Sequence, residues 1–149
     1  MRVVLDTNVI LRASQPMHTH AKPAFESMKR LTDARHELCI VPQVLYEFWV
    51  VATRPATENG LGLPVAQADA EVSRLLGLLT FLDDAKDLFR RWRALVTERQ
   101  VQGKAAHDAR IVAAMSLHGV DTILTFNRAD FERYPGIVVM SPLDAVQGA

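Results

Sequence analysis

Short apolar runs punctuate the chain, and between them the apolar residues recur at helical rather than alternating spacing. Arg2, Val3, Val4 and Leu5 open it with no solvent-facing alternation, the pattern of a parallel strand buried on both faces. Similar short runs follow at 38–41, 80–82, 122–124 and 137–140. Val9, Ile10 and Ala13 continue a short helix that Ser14, Gln15 and Pro16 end, and 17–20 is a connector. Ala24, Phe25, Met28 and Leu31 then line one face of a helix over about 22–34. Pro42 stands at a first-turn position, and a helix from it to Thr53 is stopped by Arg54 and Pro55. Helices are also expected over 65–79, over 85–98 and from His107 to the Gly119 stop. Asp83 and Asp84 sit where a cap for the helix over 85–98 is wanted. Phe126 to Phe131 reads as a turn, and Ser141 and Pro142 start a short tail.

Five short strands separated mostly by helices predict an α/β fold, a doubly wound five-stranded parallel sheet flanked by helices. Right-handed crossovers then bring the carboxyl ends of all strands to one edge. The loop over 56–63, with Asn59 and Gly60 as its turn signal, is either a plain connector or a lid over that edge.

Composition narrows the picture without changing it. With 149 residues, 49% of them hydrophobic, the chain is expected to be a single domain that needs neither metal nor disulfides to fold. Acidic and basic residues number 17 each, so no global positive field draws in nucleic acid, and such a partner must be held locally. The one cysteine, Cys39, lies in an apolar run and fits a reducing compartment. No stretch reaches the ~18 apolar residues of a membrane helix and no signal-peptide pattern opens the chain, so a cytoplasmic protein without a membrane partner is expected. His18 and His20, without companion ligands, read as solvated connector residues.

The chemistry lies in the acids. Asp6 ends the first strand, where open α/β sheets place ligands, but it also stands where a helix cap is wanted. Glu47 is the sole formal charge in an otherwise apolar helix that includes Phe48, Trp49 and Val50. Such a helix is buried or pairs with another chain, and its carboxylate is costly unless a cation or hydrogen bonds compensate it. Asp108 shares a helix face with Ile111, Val112 and Met115, either as a cap or as a carboxylate aimed at the sheet edge. With Asp130 in the last turn, the acids can converge, and like charges about 4 Å apart repel by roughly 4 kcal/mol at an effective dielectric near ~20. A divalent cation relieves that repulsion, and carboxylate oxygens without histidine or thiolate suit Mg²⁺ or Mn²⁺ better than Zn²⁺.

In order along the chain, Val4-Leu5-Asp6-Thr7-Asn8, the Glu47 helix, His107-Asp108-Ala109-Arg110-Ile111 and Leu124-Thr125-Phe126-Asn127-Arg128-Ala129-Asp130-Phe131 resemble the motifs of the PIN-domain ribonucleases, among them the VapC-type toxins of bacterial toxin–antitoxin pairs. The resemblance spans nearly the whole chain. It implies metal-dependent hydrolysis of RNA phosphodiester bonds, with Asp6 and Asp108 on the metal and Glu47 on the same ion or orienting the water. Many relatives carry an acid where Asn127 stands, so the fourth ligand falls to Asp130, or to Asn127 as a neutral oxygen. Thr7, Asn8 and Thr125 would be hydrogen-bond partners, and Arg54, Lys104, Arg110 and Arg128 local phosphate contacts. The resemblance also implies a cognate antitoxin, and the apolar Glu47 helix suggests a homodimer or antitoxin surface. A haloacid-dehalogenase-type phosphatase also starts from a strand-end aspartate, but it wants an acid where Asn8 stands. A receiver-like module wants an acidic pair near the first strand and a lysine after the fifth.

Overall fold

The computed structural model describes residues 1–147. Strand β1 (Arg2–Leu5) leads into α1 (Thr7–Ala13) and α2 (Ala21–Asp33), and β2 (Glu37–Ile40) into α3 (Pro42–Thr53) and α4 (Val65–Leu78). β3 (Thr80–Phe81) is followed by α5 (Leu88–Glu98) and α6 (Ala105–Leu117), β4 (Thr122–Leu124) by α7 (Ala129–Glu132), and β5 (Val138–Met140) by α8 (Pro142–Gln147). The strands pair in parallel in the order β3-β2-β1-β4-β5. The expected doubly wound α/β sheet is therefore present. Val3, Val4, Leu5, Cys39, Ile40, Ile123 and Leu124 are completely buried, which is why the central strands read as unbroken apolar runs. Each such aliphatic side chain contributes about 1.5–3 kcal/mol by leaving water. Among the described residues, no helix is long and apolar enough to cross a membrane.

The chain runs outward from β1 to β3, then returns to lay β4 on the other side of β1. The crevice at the carboxyl ends of β1 and β4 is thus the switch point where sheets of this kind bind ligands. Leu5 stands opposite Leu124 in the register, so the residues one step further on, Asp6 and Thr125, meet there.

Several expectations shift. The loop after α3 is clamped rather than lid-like: Leu61, Gly62 and Leu63 donate backbone bonds of 2.8–2.9 Å to Val51, Arg54 and Ala52. A Cβ on Gly60 would fall 1.9 Å from the Arg54 carbonyl oxygen, so only glycine allows that approach. Asp83 and Asp84 do not cap α5, which starts later, at Leu88. Asp84 instead pairs with Arg110 at 2.9 Å. The expected tail is α8, started by Pro142 and packed on α2. Phe48 is fully buried, so the outward apolar face of α3 is carried by Tyr46 and Val50. His20 stacks on Phe126, centroids 4.5 Å apart and 9° between planes, and is no free connector residue.

Candidate active site

Asp6 combines both roles open to it. Its Oδ1 caps α1 by accepting from the Thr7 backbone N–H at 2.8 Å. Its Oδ2 accepts from Thr125 Oγ1 at 2.7 Å and from Asn8 Nδ2 at 3.3 Å. Asn8 ties the two strand ends together, because its amide also donates to Thr125 Oγ1 at 3.3 Å and its Oδ1 accepts from the Phe126 N–H at the same distance. The Thr125 hydroxyl takes a further bond from the Asn127 N–H at 3.0 Å. Burial pushes the Asp6 carboxyl up to about 6, against the Thr125 and Thr7 hydrogen bonds and with the help of the charges on Glu47 and Asp130.

Asp108 is different. Helix α6 begins at Ala105 and its cap position is Lys104, so Asp108 lies inside the first turn and is not the cap. Burial raises its carboxyl to about 7, followed by the charges of Asp6, Asp130 and Glu47, with no hydrogen bond opposing the rise. Asp6 thus feels the charges of Glu47 and Asp130, and Asp108 those of Asp6, Asp130 and Glu47. Beside them, Tyr134 is buried with a hydroxyl that has no partner among the described residues, and the Asp108 charge helps to raise its pKa after burial does.

Hydrogen bonds compensate Glu47. Gln43, one turn earlier on α3, donates from Nε2 to Glu47 Oε1 at 2.8 Å and to the His107 carbonyl at 2.6 Å. Thr7 Oγ1 donates to Glu47 Oε2 at 3.4 Å. Gln43 in turn accepts from Arg110 Nη1 at 3.3 Å, and Arg110 is the partner of Asp84. Gln43 was missed by sequence reasoning. A polar residue four positions before Glu47 in an apolar helix was the available signal.

Asp130, in the first turn of α7, is exposed, and so is Asn127, whose side chain stands outside the hydrogen bonds around Asp6. The basic candidates divide. Arg110 borders the acids through Gln43, and Lys104 is exposed where α6 starts. Arg54 is turned onto its own loop, donating to the Asn59 carbonyl at 3.1 Å, and Arg128 is held by Asp144 and by Glu132 at 3.5 Å.

As the side chains stand, no group of three or more His, Cys, Asp or Glu among the described residues is closed around an ion position. The charges of Glu47 and Asp130 nevertheless reach both Asp6 and Asp108 and help to raise their carboxyl pKa values. The donor set is all oxygen, and two of its carboxyls are pushed toward neutrality by burial and by neighbouring carboxylates. Those residues fit a hard divalent cation, which would favour the ionised forms that burial opposes.

The PIN-domain family model matches residues 3–137. The chain belongs to the PIN-domain family. No curated protein matches it. Among solved structures, this PIN domain is similar to VapBC2 from Rickettsia felis bound to a promoter DNA fragment, with a TM-score of 0.71, 18% identity and 95% and 98% of the two chains covered. VapBC-1 from nontypeable Haemophilus influenzae gives 0.69 at 15% identity, covering 96% and 99%. VapC20 from Mycobacterium tuberculosis, a toxin that cleaves the sarcin–ricin loop, gives 0.58 at 18% identity, covering 81% and 86%. At these identities the likeness concerns the PIN fold.

Proposed function

We propose that this PIN domain is a divalent-metal-dependent endoribonuclease, the toxin of a toxin–antitoxin pair. The observation that carries the reading is the meeting of Asp6 and Asp108, far apart in sequence, each with a raised carboxyl pKa, at the switch point of a PIN sheet. Asp6 and Asp108 would hold a Mg²⁺ or Mn²⁺ ion, with Glu47 and Asp130 completing the ring and Asn127 as the neutral alternative to Asp130. A bound ion of this kind acidifies water for in-line attack on a phosphodiester and stabilises the leaving oxygen. The chain's own part is positioning. Thr125, Asn8 and the Thr7 N–H fix the Asp6 carboxylate, while Gln43 and the Thr7 hydroxyl aim Glu47. Lys104 and Arg110 supply positive charge beside the acids, which suits phosphate binding by a chain of zero net charge.

The toxin assignment is supported by the similar solved structures, several of which are toxin–antitoxin complexes. The exposed Tyr46 and Val50 on α3 support a face that meets an antitoxin or a second copy of the chain. The other two readings of the strand-end aspartate lose support. Asn8, where a phosphatase would need its second acid, is spent on Asp6, Thr125 and Phe126. A receiver-like module has the strand order 2-1-3-4-5, whereas β1 here lies between β2 and β4.

The test is cleavage of RNA by the purified protein with Mg²⁺ or Mn²⁺, beside folded Asp6→Asn and Asp108→Asn variants. Each variant is expected to lose about a thousandfold or more in rate, the several kcal/mol a catalytic ion supplies. Full cleavage by both variants would overturn the proposal. Mapping 5′ RNA ends after brief expression in cells identifies the cut sites.

A further inference from the structure

A cationic stretch of the sequence, Lys86, Arg90, Arg91 and Arg93, has no part in the acid site. Of these only Lys86 lines an open pocket of about 550 Å³ between α5 and the first turn of α6. Two aromatic rings line the pocket. Phe89 is 67% exposed, and Trp92 lies beside it with centroids 5.9 Å apart and 36° between planes. The Trp92 indole N–H donates to the Ala106 carbonyl at 2.8 Å, which fixes the ring against α6. Lys86, His107 and Arg110 supply the polar lining, with Asp84 paired to Arg110.

The pocket joins residues that follow β3 to the first turn of α6, the turn that also carries Asp108. Its α6 residues, Ala106, His107 and Arg110, lie on the flank of that helix which Asp108 does not share. The two places are joined by hydrogen bonds, since Arg110 donates to Gln43 and Gln43 donates to Glu47. An exposed Phe and a partly buried Trp framed by cations suit one kind of occupant well. A flat ring stacks on the aromatic side chains while adjoining phosphates meet Lys86 and Arg110. A duplex, whose bases are already stacked and paired, has no ring to offer.

We propose that this pocket is a nucleobase subsite, receiving one unpaired base of an RNA strand whose scissile phosphate lies over the acids. The inference rests on the ribonuclease reading and adds to it a contact at this pocket that binds the strand by stacking as well as by charge. A peptide segment of a partner protein is the competing occupant. The net positive lining, Lys86 and Arg110 against Asp84, and the hydrogen-bonded link through Gln43 to Glu47 favour RNA.

Trp92 is its own reporter, because the chain has 2 tryptophans and Trp49→Phe leaves it alone. Protein carrying Trp49→Phe, with Asp6→Asn to keep the strand intact, is titrated with a short single-stranded RNA of mixed sequence and with a blunt RNA duplex. The single strand is expected to quench Trp92 and the duplex to leave it unchanged. Phe89→Ala should weaken single-strand binding about tenfold and Phe89→Tyr restore it. Lys86→Ala should lower the salt slope of binding by ~0.7, the share of one phosphate contact. RNA that binds without quenching, or that binds Phe89→Ala as tightly as the parent, overturns the subsite and leaves the cleavage assignment standing. Loss of a co-purifying protein partner by Phe89→Ala with RNA binding unchanged overturns it in favour of the peptide. A parent protein that neither binds nor cuts RNA removes the ribonuclease reading and the subsite together.

Discussion

The two acids at the heart of the site are built in opposite ways. Asp6 is 6% exposed and held by the Thr7 N–H, the Thr125 hydroxyl and the Asn8 amide, so both of its oxygens have fixed directions. Asp108 stands half-buried on the first turn of a helix, its pKa raised by burial and then by its neighbours' charges, with no hydrogen bond working against them. Strand-end backbone is set by the sheet, and a carboxylate there can be locked by the next strand. A helix-borne side chain keeps rotamers to spare. The difference suggests a fixed anchor and an adjustable arm. In the proposed reaction the anchor would set where the ion sits, and the arm would close on it.

The sharpest way to break this contrast is to unlock the anchor. Thr125→Val keeps the shape but removes the hydroxyl that gives Asp6 its shortest hydrogen bond. We expect a 10–100-fold loss of RNA cleavage, the usual cost of removing a group that orients a ligand. Because the Thr125 bond holds the Asp6 pKa down, the acid limb of the pH–rate profile should also move to higher pH. Thr125→Ser should restore both. A rate and profile equal to the parent's would show that Asp6 needs no lock.

A smaller effect is expected from releasing Glu47, which Gln43 holds. Gln43→Met keeps the length and removes the bonds to Glu47, His107 and Arg110. Glu47 keeps the longer Thr7 bond, so a loss of about tenfold in kcat is expected, at the low end of the range for such partners. A lowered melting temperature with unchanged kcat would make Gln43 a brace between α3 and α6 and nothing more.

Gln43 also marks the limit of what the sequence showed. The strands were legible because a sheet buried on both faces leaves unbroken apolar runs such as Val3-Val4-Leu5 and Thr122-Ile123-Leu124. Asp6, Asp108, Asn8 and Thr125 were legible because each lies at a strand end or a helix start. What stayed hidden were partnerships across the chain. Asp84 looked like a cap because local spacing allowed it, yet its partner Arg110 is 26 positions away. Gln43 meets the His107 carbonyl across 64 positions, and no local pattern encodes that. The Trp92–Ala106 bond beside the aromatic pocket is short in sequence, but the pocket itself depends on how α5 and α6 lie together.

The smallest effect concerns stability. In the metal-free protein both carboxyls have folded-state values above the ordinary 3.8, about 6 for Asp6 and about 7 for Asp108. Between about pH 4 and 7 the folded state therefore binds protons that the unfolded chain does not. Their contribution is unfavourable at pH 8 and is relieved as pH falls through 7 and 6, so the metal-free protein should melt higher at pH 5.5 than at pH 8. Asp108→Asn removes a repelling charge and gives up no hydrogen bond. Complete burial would make its shift worth ~4 kcal/mol, and solvent screening of a half-exposed group reduces this to about 1 kcal/mol. That gain should appear at pH 8 in chelator and shrink toward pH 5. Asp6→Asn should gain less, because an amide in place of Oδ2 cannot accept the Thr125 hydrogen bond. Equal gains from the two variants would erase the distinction between anchor and arm, because the lock on Asp6 would then cost nothing to lose.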